Sequence, residues 1–320
     1  MFFEHSLMRE VKINSEPNGH GFEKGIFFSL YGAISEKSIT FASDFSKADV
    51  MSRQLVSVIM PTFNASKFLA DSIESILGQT YGEVELLITD DGSSDASTLQ
   101  ILKEYSRKDA RVKVEYLQGN HGPAYARNHS IGRAGGRYIA FCDSDDRWMP
   151  EKLERQIRFM TEKDCALCYS SYIVCDDKDE EIGITIAPKR ISFDMLKRDN
   201  KVGCLTAIYD TEKLGKKYYM PQLRKRQDWG LFLTILRDCR MAYGIVEPLA
   251  WYRHRSHSVS SNKLSLIAYN IKVYELVLNY PRWKAMLYFF GLFLPTYYVK
   301  VLKRNLDSRK YLAGKRRGKV

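Results

Sequence analysis

The sequence predicts an α/β fold, with a mostly parallel central sheet flanked by helices and a helical C-terminal segment. Three observations predict it. From Leu55 onward, short apolar runs alternate with stretches of helical periodicity, the pattern of a parallel sheet covered on both faces. Three of those runs end in polar clusters, and strand ends are where open α/β sheets bind ligands. The chain has 320 residues, 45% hydrophobic and 12% aromatic, enough for a large core. A mean hydropathy of -0.33 excludes a polytopic membrane protein.

The elements follow in order. Residues 1–50 have no strong periodicity and read either as a weakly ordered extension upstream of a natural start at Met51 or as a genuine appendage. Leu55 to Met60 is an apolar first strand with Pro61-Thr62-Phe63-Asn64 as its exit loop, and a helix over about 66–79 places Phe68, Leu69, Ile73, Ile76 and Leu77 on one face. Val84 to Thr89 is the second strand, ending in Asp90-Asp91-Gly92-Ser93-Ser94-Asp95, and a helix over about 96–107 leads to a third strand, Val112 to Tyr116. Gly122-Pro123 opens a helix that closes at Gly132 and Gly135-Gly136, and the strand Tyr138 to Phe141 then runs into Cys142-Asp143-Ser144-Asp145-Asp146. Further strands and helices are expected near 166–174 and from Gln227.

Three carboxylates within four positions repel one another unless a cation is present. A hard ion such as Mg²⁺ or Mn²⁺ would be held by one or two of them together with substrate phosphates. Taken alone, the cluster reads more readily as a solvated turn with an N-cap before the helix at Pro150-Glu151-Lys152 than as a site. Neither G-x-x-x-x-G-K-[ST] nor a G-x-G-x-x-G after the first strand is present, so phosphates must be held by other means. A phosphohydrolase would carry its nucleophilic Asp where this chain has Pro61-Thr62, which disfavours that class. A sugar nucleotidyltransferase and a non-catalytic glycan- or membrane-binding module are the remaining rivals.

The net charge of +11 is concentrated at the end of the chain. From Lys300 to Val320 there are nine basic residues against Asp307 alone, a local +8 that leaves +3 for everything before it, so a broad nucleic-acid-binding face is not expected. Six cysteines, mostly within apolar runs and with no convincing signal peptide, indicate reduced structural thiols in a cytosolic compartment.

Taken together, Val58-Ile59-Met60-Pro61-Thr62-Phe63-Asn64, Asp90 to Asp95, Gly122-Pro123-Ala124-Tyr125-Ala126-Arg127-Asn128 and Asp143-Ser144-Asp145-Asp146 resemble the family 2 glycosyltransferases of GT-A fold, over about residues 55–262. Gly203 to Asp210 and Arg224-Lys225-Arg226-Gln227-Asp228-Trp229 look like the teichuronic-acid and O-antigen types that build bacterial surface polysaccharides. The resemblance implies a metal-dependent inverting transfer of sugar from a UDP-sugar to a glycan or lipid-linked oligosaccharide. Pro61, Thr62, Phe63 and Asn64 would line the nucleoside pocket, with Asp90, Asp91 and Gly92 at the uracil edge. Arg127 and Ser144 would lie near the diphosphate, Asp143 would face the ribose or metal, and Asp145 would bind Mn²⁺ or Mg²⁺. Asp228 matches the family's catalytic base. Trp251 to Ser260 resembles the family's Tyr-Arg-x-x-x-x-Ser-x-Ser ending, with Arg255 where many members carry a metal-liganding His; His257 is the alternative third ligand. The processive Gln-x-x-Arg-Trp motif is absent, which implies one sugar per encounter.

The organisation expected is an extension over 1–50, a transferase domain over 51–262, and a helical, basic, membrane-associating region over 263–320. Ala285 to Val299 is uncharged, is interrupted by Gly291 and Pro295, and at fifteen residues is shorter than the roughly 20 needed to span a bilayer. Beside the basic tail it reads as a peripheral anchor on the inner face of the plasma membrane, or else as a helix packed on the domain with a solvated tail.

Overall fold

A computed structural model describes residues 54–255 and 263–317, the side chains of residues 263–265 excepted. The 1–50 extension and His257 lie outside the described residues. The strands are β1 (Val56–Thr62), β2 (Val84–Asp90), β3 (Val112–Tyr116), β4 (Tyr138–Phe141), β5 (Arg147–Trp148), β6 (Leu167–Cys175), β7 (Glu181–Thr185), β8 (Arg190–Ser192), β9 (Ile208–Asp210) and β10 (Met241–Arg253). The helices, in chain order, are α1 (Leu69–Leu77), α2 (Ala96–Lys108), α3 (Pro123–Arg133), α4 (Lys152–Lys163), α5 (Phe193–Arg198), α6 (Thr211–Leu214), α7 (Gln227–Cys239), α8 (Lys263–Leu278), α9 (Arg282–Tyr288) and α10 (Leu294–Arg316), the last two joined through a π-helical turn, Phe289–Phe293.

All ten strands form one sheet in the order β3-β2-β1-β4-β9-β6-β10-β5, with β7 on β6 and β8 on β10. The half formed by β3, β2, β1 and β4 is parallel as expected. Beyond β4 the sheet is mixed, because β9 enters antiparallel to both β4 and β6.

Side chains alternate across the sheet, so Val56, Val58 and Met60 join Leu86, Ile88 and helix residues Leu69, Ile73 and Ile76 on one face, whereas Ile59, Leu87 and Phe141 join Trp229, Phe232, Val273 and Tyr274 on the other. The second core includes residues of α7, α8 and α9, so the segment after 263 contributes to the same interior as the sheet.

β1 runs two residues beyond the expected strand, through Pro61 to Thr62. The amide of Val56 faces β2, so by alternation the missing amide of Pro61 points toward β4, whose pairing with β1 ends at Ile59. A proline is tolerated there because no ladder bond is lost.

Lys152 is fully buried, and among the described residues its side-chain nitrogen has no acidic partner. Its Nζ donates to Gln156 Oε1 at 2.7 Å and lies 3.8 Å from the centroid of the Trp148 ring. Burial pushes its pKa down to about 7. The unfolded chain therefore binds the proton more strongly, and stability rises with pH from about 7 toward the ordinary lysine value. Between pH 7 and 9, urea unfolding should show the native chain gaining up to about 1 kcal/mol per pH unit relative to Lys152→Met. Parallel pH profiles for the two proteins would refute a buried, mostly neutral lysine.

Candidate active site

The polar clusters meet at the C-terminal edge of β1, β2 and β4, and their side chains first brace one another. Asn64 occupies the left-handed region (φ 46), which asparagine tolerates better than most residues; its Oδ1 accepts from the amides of Ser94 and Asp95 at 3.0 Å each. Asp90 closes its own turn by accepting from the Ser93 amide at 3.0 Å. Asp91 is buried, and its two oxygens accept from the amides of His121 (2.9 Å) and Gly122 (2.7 Å). The carboxylate expected at a uracil edge thus also fixes the loop that starts α3. Gly92 has φ +75, and a Cβ there would lie 2.6 Å from the Gly119 carbonyl carbon, so its close neighbour is main chain of this protein. Asp95 caps α2 through the amides of Ser97 and Thr98. Pro61 is half-buried, Thr62 is buried with a hydroxyl that has no partner among the described residues, and Phe63 is 46% exposed.

Pro123 in the first turn of α3 follows Gly122 (φ 94), and this start directs Arg127 under the β4 turn. Arg127 is buried and its Nη2 donates to Asp143 Oδ1, while Nε and Nη1 have no partner. Burial opposes its charge, but the Asp143 carboxylate outweighs this and holds the guanidinium protonated, with Cys204 and Asp228 near enough to contribute.

Two carboxylates of the β4 turn are paired with arginine side chains and the third with main chain. Asp143 meets Arg127, and Asp145 Oδ2 lies 2.6 Å from Arg255 Nη2. Asp146 Oδ1 accepts from the Arg253 amide at 2.9 Å. Burial and the Asp143 charge push the Asp145 carboxyl up, Arg255 opposing; burial and the two neighbouring carboxylates push Asp146 well up. Asp146 does not cap the following helix, whose N-cap is Glu151. It ties the turn to β10 instead, because the turn leaves its side chain pointing into the sheet rather than toward α4. Arg253 is itself buried, donates to the Asp145 carbonyl at 3.1 Å, pairs with Asp179 at 2.7 Å, and stacks 3.9 Å from the Phe68 ring. Ser144 is buried within the same turn.

Asp228 comes from the first turn of α7, after Arg226 at φ 65. Its Oδ2 accepts from Asn200 Nδ2 at 3.0 Å, and its charge reaches both Arg127 and Cys204. Sequence reasoning did not single out Arg253, Asn200 or Cys204; only Arg253 had a local signal, the Tyr-Arg pair closing the strand.

The donor set at Asp143 and Asp145 suits a hard cation. Both are carboxylates on one turn, and their present counterions are side chains that a metal could displace. Among the described residues no group of three or more His, Cys, Asp or Glu is arranged around a metal position, so further ligands would come from diphosphate and water.

A parallel α/β half with carboxylates at its strand ends, continued by a mixed half and covered by helices, defines a GT-A-like transferase fold. Residues 57–220 match the glycosyl transferase family 2 domain, and the chain belongs to that family. The Bacillus subtilis (strain 168) protein named as the teichuronic acid biosynthesis glycosyltransferase TuaG is 41% identical over 212 residues, 66% of this chain and 83% of TuaG. The Escherichia coli protein named UDP-Glc:alpha-D-GlcNAc-diphosphoundecaprenol beta-1,3-glucosyltransferase WfgD is 38% identical over 214 residues, covering 67% and 82%. The crystal structure of S. aureus TarS 1-349 in complex with UDP-GlcNAc shares the fold at a TM-score of 0.56, with 19% identity over 72% of this chain and 69% of TarS.

Proposed function

We propose that this glycosyltransferase moves a sugar from a UDP-sugar, with inversion, onto a lipid-linked glycan during bacterial surface polysaccharide synthesis. The observation that supports this reading is that Asp228, in the first turn of α7, lies near enough to the Arg127–Asp143 pair for its charge to act on the Arg127 guanidinium. A single displacement needs a base on the face of the sugar opposite the leaving group, and here the base comes from α7 while the leaving-group cradle comes from α3 and the β4 turn. The names of WfgD and of the TarS complex support a uridine diphosphate donor and, for WfgD, a polyprenyl-diphosphate acceptor.

In this mechanism Thr62, Phe63 and Asn64 form the nucleoside wall beside Pro61, and Asp90, Asp91 and Gly92 form its floor. Arg127 and Ser144 border the diphosphate, and Asp143 lies beside the ribose. Asp143 and Asp145 would hold Mn²⁺ or Mg²⁺, which when bound acts as a Lewis acid on the departing diphosphate. Asp228 removes the proton of the acceptor hydroxyl as that oxygen attacks the anomeric carbon, and UDP departs toward Arg127. We assign transfer to residues 51–262 and membrane association to residues 263–320.

Residues 282–316 form a helix long and apolar enough to cross a membrane. Yet α10 is tied to the domain: Ser308 Oγ exchanges hydrogen bonds with the main chain of Ile184, and Tyr311 and Lys315 reach Glu181 at 2.7 and 2.6 Å. Gly183 permits this approach, since a Cβ there would meet Ser308 Oγ at 2.6 Å. Trp283, Leu287, Phe290, Tyr298, Leu302 and Leu306 are exposed, with Lys303, Arg304, Arg309 and Lys310 exposed alongside. These features support lying on an anionic cytoplasmic leaflet rather than spanning it.

A panel of UDP-glucose, UDP-galactose, UDP-GlcNAc, UDP-glucuronic acid, GDP-mannose and CMP-N-acetylneuraminate, assayed with Mn²⁺ and diphosphoundecaprenol-linked GlcNAc on phosphatidylglycerol vesicles, tests both parts. Release of UDP from one donor and co-sedimentation with the vesicles are expected. Turnover only with GDP- or CMP-sugars would reject the donor class, and protein left in the supernatant would reject the anchor.

A further inference from the structure

The C-terminal helix reaches the residue that donates a hydrogen bond to the proposed catalytic base. Lys300, in the second turn of α10, donates from Nζ to Asp199 Oδ1 at 2.6 Å and to the Asn200 carbonyl at 2.7 Å. Asp199 is 1% exposed and its second oxygen has no partner, so Lys300 supplies the cation that keeps this buried acid compensated. Burial pushes Asp199 up and Lys300 down in pKa, and each opposes the shift in the other. Asn200 is therefore held at its main chain by α10. Its side chain is held too, because Oδ1 accepts from the Val202 amide at 3.2 Å. That leaves Nδ2 aimed at Asp228 Oδ2, at 3.0 Å. Helices α7 and α8 brace the same segment: Trp229 Nε1 donates to the Leu196 carbonyl at 2.8 Å, and Tyr274 Oη to that of Lys197 at 2.7 Å.

We infer that Asn200 is a positioning residue for Asp228 and that Lys300 of the C-terminal helix sets Asn200, so the helix assigned to the membrane is also part of the catalytic apparatus. This inference rests on Asp228 being the base. A neutral amide suits the role, because it orients one carboxylate oxygen without pairing off its charge and leaves the other for the acceptor hydroxyl. A lysine in the same place would orient the carboxylate but weaken it as a base. The arrangement also makes the geometry of the base sensitive to how α10 sits on the domain, which is how a membrane-bound acceptor and the reaction centre would be brought into register.

Steady-state transfer by the full chain, with the UDP-sugar active in the panel above, tests this through a double-mutant cycle. Asn200→Ala should lower kcat about tenfold, the scale of one lost hydrogen bond at a reacting group, with the KM for the UDP-sugar within about twofold of native. Lys300→Met should do the same and Lys300→Arg should restore most of the rate. In the Asp228→Asn background, Asn200→Ala should have no further effect. Native kcat in Asn200→Ala, or an equal loss whether or not Asp228 is present, overturns the inference. If Asp228→Asn itself transfers at the native rate, the base assignment fails instead, so the two failures are distinguishable. UDP affinity measured by calorimetry on each variant reports whether the donor site is intact, and it should be unchanged in Asn200→Ala.

Discussion

Asp228→Asn is expected to bind UDP as the native chain does and to transfer sugar about 10²–10⁴-fold more slowly, the usual value of general-base assistance. The substitution preserves shape and still accepts the hydrogen bond from Asn200 Nδ2, so the neighbouring loop should not move. What it removes is the site for the acceptor proton. Asp228 also has a plain structural reading, since a carboxylate in the first turn of α7 interacts favourably with the helix dipole. The two readings separate in the assay: loss of a helix-end charge would lower the melting temperature slightly and leave kcat alone. Full activity in the variant would remove Asp228 from the mechanism.

Asp145→Asn should remove the metal-dependent part of UDP binding. In calorimetry with Mn²⁺ its affinity should fall by roughly 10–100-fold, the range found when metal sites are perturbed, to the value measured with chelator. Arg255 is released by the change, but its side chain is 42% exposed, so the lost ion pair contributes little to stability. A metal held by Asp145 would displace that same ion pair. In this structure Arg255 is the counterion of Asp145. Unchanged UDP affinity in Asp145→Asn would remove the metal assignment.

Much of the first half of the fold was legible because its signals are local. The strands Val112 to Tyr116 and Tyr138 to Phe141 match their expected bounds, being short apolar runs closed by turn residues at both ends. β10 was not legible. Its pairing with β6 shifts register around Ile245, Pro248 and Trp251, and these bulges break the alternation that marks a strand. The C-terminal helix was read from a fifteen-residue apolar run and proves much longer, because the basic residues that end the run continue the helix along β7.

The sequence by itself determined the class of fold and the identity of the polar clusters, since strand periodicity and turn chemistry are encoded within about ten residues. It also located the carboxylates that could meet a diphosphate. Only the tertiary structure decided what each carboxylate faces. Asp146 meets the Arg253 amide 107 residues away, Asp228 meets Asn200 28 residues before it, and Lys300 meets the Asn200 carbonyl across 100 residues. The partner of a charge depends on which strands become neighbours, and that order is set by burying the whole sheet rather than by any local run of residues.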